Sequence, residues 1–152
     1  MNRATRALDT IAVGPISIRF RIESPDSNGS VTVFECTVPP QVPVPAAHSH
    51  DDFEETIYGL AGVLTWTIDG HDIPIGPGQA VCIPRGAVHG FVNHGDVDAT
   101  VLCIATPGVF GAAYFEEIAA VLTASTGGPP DRAAMFDVMR RHGLTPAPSS
   151  SN

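Results

Sequence analysis

The chain has no lysine. All eight of its basic residues are arginine, set against 16 acidic residues, for a formal net charge of −8 over 152 residues. With no basic cluster, nucleic acid and anionic membrane surfaces are not expected as partners, and no helix-turn-helix segment points to a regulator. Charged residues make up only 16% and hydrophobic residues 43%, a balance that argues against disorder and fits one globular domain with a real core. No run approaches the roughly 18 apolar residues of a membrane span. The opening MNRATRALDTIAVG lacks the apolar stretch of a secretory signal, so a cytoplasmic protein is expected. Cysteine is scarce too. Cys36, Cys82 and Cys103 are an odd number at long spacings that match no zinc pattern. Each lies in an apolar, strand-like run, and all three are expected to be reduced and buried.

What the chain has in quantity is breakers, 15 Gly and 14 Pro, placed between short apolar runs. ISIRFRI alternates strictly, with Ile16, Ile18, Phe20 and Ile22 on one face, and reads as a half-buried strand. VTVFECTV (31–38) reads as a second strand, and PPQVPVP (39–45) as extended chain. EETIY, VLTWTI, HDIPI, QAVCI, VHGFV and ATVLCIAT follow, separated by GLAG, DG, GPG, PRG and NHGD. Asp69-Gly70 is a strong hairpin signal. After Pro107 the period changes. FGAAYFEEIAAVLTAS spaces Tyr114, Ile118 and Leu122 by four, which predicts an amphipathic helix. DRAAMFDVMRRHG predicts another, opened by Pro130 and Asp131 and closed by Gly143. The expected layout is a loose N-terminal arm or short helix at 1–14, an antiparallel barrel or sandwich at 15–107, helices at 108–144 and a disordered tail at 145–152.

The chemistry concentrates in HSHDDFEETIYGLAG (48–62). Residues i and i+2 of a strand share a face, so His48 and His50 can both aim inward. Two imidazoles so placed repel when protonated, and a bound cation removes the conflict. Glu55 lies five residues past His50, on the wrong parity for a straight strand, so DDF must bend the chain for it to join them. A further histidine, His89, follows a tight turn in GQAVCIPRGAVHGFVN.

These two segments resemble the paired motifs of the cupin superfamily. His48, His50, Glu55 and Gly62 fit the first motif, and Gly78, Pro84, Gly86, His89 and Asn93 fit the second at every spacing. Two positions depart, with Val42 where the first motif usually opens with Gly and Gln79 where Asp often follows Gly78. The resemblance spans roughly residues 30–107. It implies an all-β, cupin-type antiparallel barrel (a double-stranded β-helix, or jelly roll) with a C-terminal helical extension. It also implies one divalent transition metal held by His48, His50, Glu55 and His89. That donor set suits Fe(II), Mn(II), Ni(II) or Zn(II) and leaves up to two octahedral positions open.

The small quercetin-dioxygenase-like cupins share the helical extension. The activity expected first is therefore a dioxygenase acting on a small enolic or phenolic compound, with Glu55 doubling as a base. A non-oxidative isomerase, epimerase or lyase is the alternative, and a non-catalytic small-molecule or sugar-binding module the third. Small cupins commonly pair an N-terminal strand with a second subunit, so a homodimer burying Ile16, Ile18 or Phe20 is expected.

The remaining candidates have plainer readings. Glu54 should face outward and Arg85 should lie on the surface. Asp51 and Asp52 read as loop carboxylates and His71 as exposed. A second-shell place for His94 is a weak alternative to a loop position, and His142 suits the end of the last helix. Trp66, Phe91 and Phe34 read as core before substrate contacts. Tyr58 has a tip that can reach the pocket, and Tyr114 and Phe115 either lid the barrel mouth or cover an apolar edge.

Overall fold

The structure is a computed structural model and describes residues 10–148. Two antiparallel sheets face each other. In one, β1 (Thr10–Val13), β2 (Ile16–Ile22), β3 (Thr32–Val38), β10 (Ala99–Thr106), β5 (Glu54–Ala61) and β8 (Ala80–Ile83) lie side by side in that order. In the other the order is β11 (Leu144–Pro146), β4 (His48–His50), β9 (His89–Val92), β6 (Leu64–Ile68) and β7 (His71–Ile75). Helices α1 (Ala112–Ala124) and α2 (Arg132–Arg141) follow the barrel, as the change of period predicts. No helix among the described residues is long and apolar enough to cross a membrane.

Alternation builds the core. Thr32, Phe34, Cys36 and Val38 of β3 and Ala99, Val101, Cys103 and Ala105 of β10 all turn inward, because successive strand side chains point to opposite faces. The Asp69-Gly70 hairpin forms, with both residues at positive φ (46° and 82°), and closes β6 on β7 with Thr67 opposite Asp72. At Gly59 a side chain is excluded by contact, since a Cβ there would lie 2.0 Å from the Gly76 carbonyl oxygen.

Four expectations need correction. Residues 10–13 of the supposed arm form β1, paired antiparallel to β2 from Thr10–Arg19 to Val13–Ile16; residues 1–9 lie outside the described residues. The supposed tail begins with a strand. In β11, Leu144 pairs with His50 and Pro146 with His48, Thr145 Oγ1 donates to Asp51 Oδ1 at 2.8 Å, and residues 149–152 lie outside the described residues. Ile22 escapes the inward face at 37% exposure, because a register shift between Phe20 and Ile22 breaks the alternation. Cys82 is exposed. It sits on β8, which ends its sheet, on the face that points away from the core. Ile16, Ile18 and Phe20 face the core and are buried within a single chain, and β1, not β2, ends that sheet.

The helices close one end of the barrel. Helix α1 buries Tyr114 and Ile118, and α2 buries Val138 and Met139. The Asp131 side chain caps α2 by accepting from Ala134 N at 3.0 Å. Glu117 of α1 accepts from Arg141 and, at 2.9 Å, from His142 Nε2, which ties the helices together.

Candidate metal centre

The first motif delivers its residues through one strand, a bend and a second strand. His48 and His50 share a face of β4. After the two exposed residues Asp51 and Asp52, Phe53 turns inward, and with it the inward parity of Glu55 and Ile57. DDF is therefore the bend that parity required. The second motif brings His89 to β9 directly opposite His48. The ligand nitrogens of His48, His50 and His89 lie within 4.8 Å of one another. Glu55 Oε2 stands 3.7 Å from His50 Nε2 and 3.8 Å from His89 Nε2.

The residues beside the motifs orient these rings. His48 Nδ1 contacts the Ala46 carbonyl oxygen at 2.9 Å, and His89 Nδ1 contacts that of Ala87 at 3.0 Å. A carbonyl only accepts, so each Nδ1 carries the proton and each Nε2 is left with a bare lone pair. His50 lacks such a brace: its Nδ1 is buried without a partner. Instead its ring stacks on Phe53, centroids 4.2 Å apart, with Phe110 stacked at 6.4 Å.

Burial sets the electrostatics. Desolvation pushes His48 down to about 4 and His50 down to about 2, and repulsion from neighbouring imidazoles adds to it. His89 is lowered mainly by desolvation. Burial pushes Glu55 up to about 7, only partly offset by the Cys103 thiol, which donates to its carboxylate. The donors are too few for the acceptors that converge: His50 Nε2 lies 3.3 Å from His48 Nε2, while His50 Nδ1 and His89 Nε2 are buried without any partner. A cation satisfies that arrangement, and the three grouped imidazoles suit a divalent transition metal.

The centre opens into an internal cavity of about 70 Å³. Trp66 and Phe91, read from the sequence as core, are core residues that also line it, and Tyr114 and Phe115 reach it from α1. Helix α1 therefore both lines the cavity and packs on β1, the edge strand of its sheet. Among the residues that form the wall there is no arginine, serine, threonine, asparagine or glutamine. Tyr58 is exposed, as are His71 and His94, so none of them reaches the cavity. Glu54 points outward and takes a two-pronged contact from Arg85 at 2.7 and 3.0 Å. Asn93, which closes the second motif, is structural: its side-chain amide donates to Val38 O at 2.8 Å and Val97 O at 2.9 Å. Sequence reasoning missed the Cys103 contact to Glu55, although the inward parity of β10 carries that signal. It also missed Phe110, which continues the spacing of four from Tyr114, Ile118 and Leu122 but lies just before helix α1 begins at Ala112.

Comparison with known proteins agrees with this geometry. Residues 34–105 match the Cupin_2 family, described as the cupin domain. Solved structures with the same fold include a predicted oxalate decarboxylase from Thermotoga maritima, at 20% identity and a TM-score of 0.60 over 69% of this chain and 96% of that one. A sugar phosphate isomerase from Silicibacter pomeroyi matches at 22% identity and a TM-score of 0.54, over 68% of this chain and 71% of that one. The polyketide cyclase RemF from Streptomyces resistomycificus matches at 27% identity and a TM-score of 0.54, over 73% of this chain and 83% of that one. No curated protein matches significantly. Residues 34–105, just under half of the chain, thus carry a cupin domain.

Proposed function

We propose that this chain is a metal-dependent enzyme acting on a small, largely apolar enolic or phenolic compound, with His48, His50, His89 and Glu55 as the metal ligands. The observation that carries the reading is a cluster of imidazole lone pairs at the end of a cavity whose wall is otherwise aromatic and aliphatic. A metal held there supplies a Lewis acid that lowers the pKa of an enol or phenol hydroxyl. Glu55 is the proton acceptor, the carboxylate that the wall places beside His50 and His89. The aromatic wall holds a planar substrate and excludes water. Sugar phosphates do not suit this wall, which offers no cation for a phosphate and no hydroxyl or amide, apart from Tyr114, for a polyol.

A non-oxidative reaction, such as the proton transfer that starts an isomerisation or cyclisation, is the first choice. The likeness to a polyketide cyclase supports it. A dioxygenase is the second reading, favoured by the same donor set on a redox metal and by the apolar wall. The test is to reconstitute the protein separately with Fe(II), Mn(II), Ni(II) and Zn(II) and follow a panel of enolic and phenolic compounds with and without O₂. Turnover under nitrogen supports the first reading, and turnover coupled to O₂ uptake supports the second. Binding without turnover in either atmosphere leaves a small-molecule-binding cupin.

A further inference from the structure

Among the described residues, four buried side-chain polar atoms have no hydrogen-bond partner: Thr32 Oγ1, His50 Nδ1, Trp66 Nε1 and His89 Nε2. The two histidine atoms belong to the metal centre. Thr32 does not line the cavity, but Trp66 does. The indole of Trp66 is 3% exposed, and its ring centroid stands 6.1 Å from that of His89 and 5.0 Å from that of Phe91. An indole N–H is a donor only, and buried Trp N–H groups ordinarily find an acceptor. Here the wall supplies none. The acceptors nearest the cavity are the histidine nitrogens and Glu55, which the cation claims.

We propose that Trp66 Nε1–H is the specificity-determining donor of the site, and that it binds a second oxygen of the substrate whose first oxygen lies at the three histidines. The inference rests on the metal-enzyme reading and narrows its substrate class. The ligand is planar and mostly apolar, and it carries two oxygens on one conjugated unit, as a hydroxy-ketone or an enolised dicarbonyl does. One oxygen would be held at the three histidines through the metal, and the other accepts from the indole. A site with a buried donor of this kind discriminates against an analogue that lacks the acceptor, because the donor then stays unpaired. Size adds a further condition. A cavity of about 70 Å³ is about half the ~150 Å³ that admits benzene, so a ring-sized ligand displaces part of the wall. The wall outside the sheets is Pro45 and the segment carrying Phe110, Tyr114, Phe115 and Ile118.

Trp66 is the only tryptophan in the chain, so the indole N–H gives a single resonance in a nitrogen–proton correlation spectrum. The experiment uses the zinc-loaded full chain and its Trp66→Phe variant, each titrated with 2-hydroxyacetophenone and with phenol, and zinc content is measured before and after. The expected result is a downfield shift of the wild-type indole proton with 2-hydroxyacetophenone but not with phenol. The variant should bind 2-hydroxyacetophenone about tenfold more weakly and phenol less than twofold more weakly, with zinc content unchanged. An unmoved indole resonance, or equal weakening of both ligands, overturns the inference while the metal site stands. Failure of the wild type to hold zinc, or any of the other three metals, overturns the metal-enzyme reading itself, and this inference with it.

Discussion

Replacing Glu55 with Gln should make the cation-free protein lose stability more steeply as the pH falls. The reason lies in two opposing linkages. His48 and His50 are held well below their ordinary 6.5, at about 4 and about 2, and His89 is lowered in the same direction. On acidification the unfolded chain therefore takes up protons that the folded chain refuses, and stability is lost as the pH falls from 6.5 toward 4. Glu55 acts in the opposite sense. Its folded pKa is raised from 4.5 to about 7, so between those values the folded chain holds a proton that the unfolded chain has released. That contribution is fully present below 4.5 and is lost as the pH rises through about 7. Near pH 5.5 the three imidazoles act against one carboxyl.

Glutamine removes the carboxyl and leaves the imidazoles. One proton corresponds to about 1.36 kcal/mol per pH unit, so the slope of stability against pH should steepen by up to that amount. Across the whole shift of Glu55 the accumulated difference approaches about 3 kcal/mol. The assay is urea unfolding of both chelator-treated proteins at half-unit steps from about pH 4.5 to 7.5. The remaining ionisable groups are common to both proteins and cancel in the difference. Parallel curves would refute the argument, because they would mean that Glu55 is ionised in the folded, cation-free chain.

Metal content of single-site variants should divide cleanly: Ala at His48, His50, Glu55 or His89 lowers occupancy at least tenfold by elemental analysis, whereas Glu54→Ala, which removes only an exposed contact to Arg85, leaves it unchanged, all with unaltered circular dichroism. Thiol labelling of the native protein should show one fast and two slow cysteines, because Cys82 is exposed while burial pushes Cys36 up to about 12 and Cys103 well above its ordinary value; two or more fast thiols by mass spectrometry would contradict this. Gly59→Ala should cost about 1–3 kcal/mol in urea unfolding, since its Cβ meets the backbone of Gly76; a neutral result would mean that the β7–β8 loop yields freely.

The ligand residues were legible because their spacing encodes local geometry. His48 and His50 share a face by strand parity alone, and the Asp51–Phe53 bend followed from the need to restore Glu55 to that face. The β1 and β11 strands were not legible. Each has four residues or fewer and is defined by pairing with a partner, β11 with a segment nearly a hundred positions earlier. The proline and serine around β11 carry the composition of a tail. Cys82 failed for a related reason: in AVCI the alternation is plain, but which parity faces the core depends on the pairing of Thr56 with Cys82 and Glu55 with Ile83. Trp66 read correctly as core. Its unpaired N–H becomes visible only when the neighbours from β9, β10 and α1 are in place.

The electrostatic shifts and the orphaned nitrogens have one origin, and it sets a last expectation. Ala46 and Ala87 each stand two residues before a histidine, and each offers its carbonyl to that histidine's Nδ1. The two halves of the barrel thus fix their imidazoles independently, with both Nε2 lone pairs turned to a shared point. Folding brings these acceptors and Glu55 together out of water, and the lowered histidines and raised carboxyl measure how unfavourable that is. A divalent cation reverses each term and binds the folded chain alone, because the unfolded chain does not bring the ligands together. At a thousandfold excess over its Kd it should stabilise the protein by about 4 kcal/mol, a rise in Tm of roughly 8–16 °C for a chain of this size. Scanning calorimetry should show that rise with at least one of Zn(II), Mn(II), Ni(II) and Fe(II) under nitrogen, its loss on chelation, and little rise in His89→Ala. The chelated protein should still unfold cooperatively, because the apolar core built on Phe34, Val38, Ile57 and Val101 is continuous without a metal. A wild-type Tm that none of the four metals moves would remove the metal centre, and with it the enzyme.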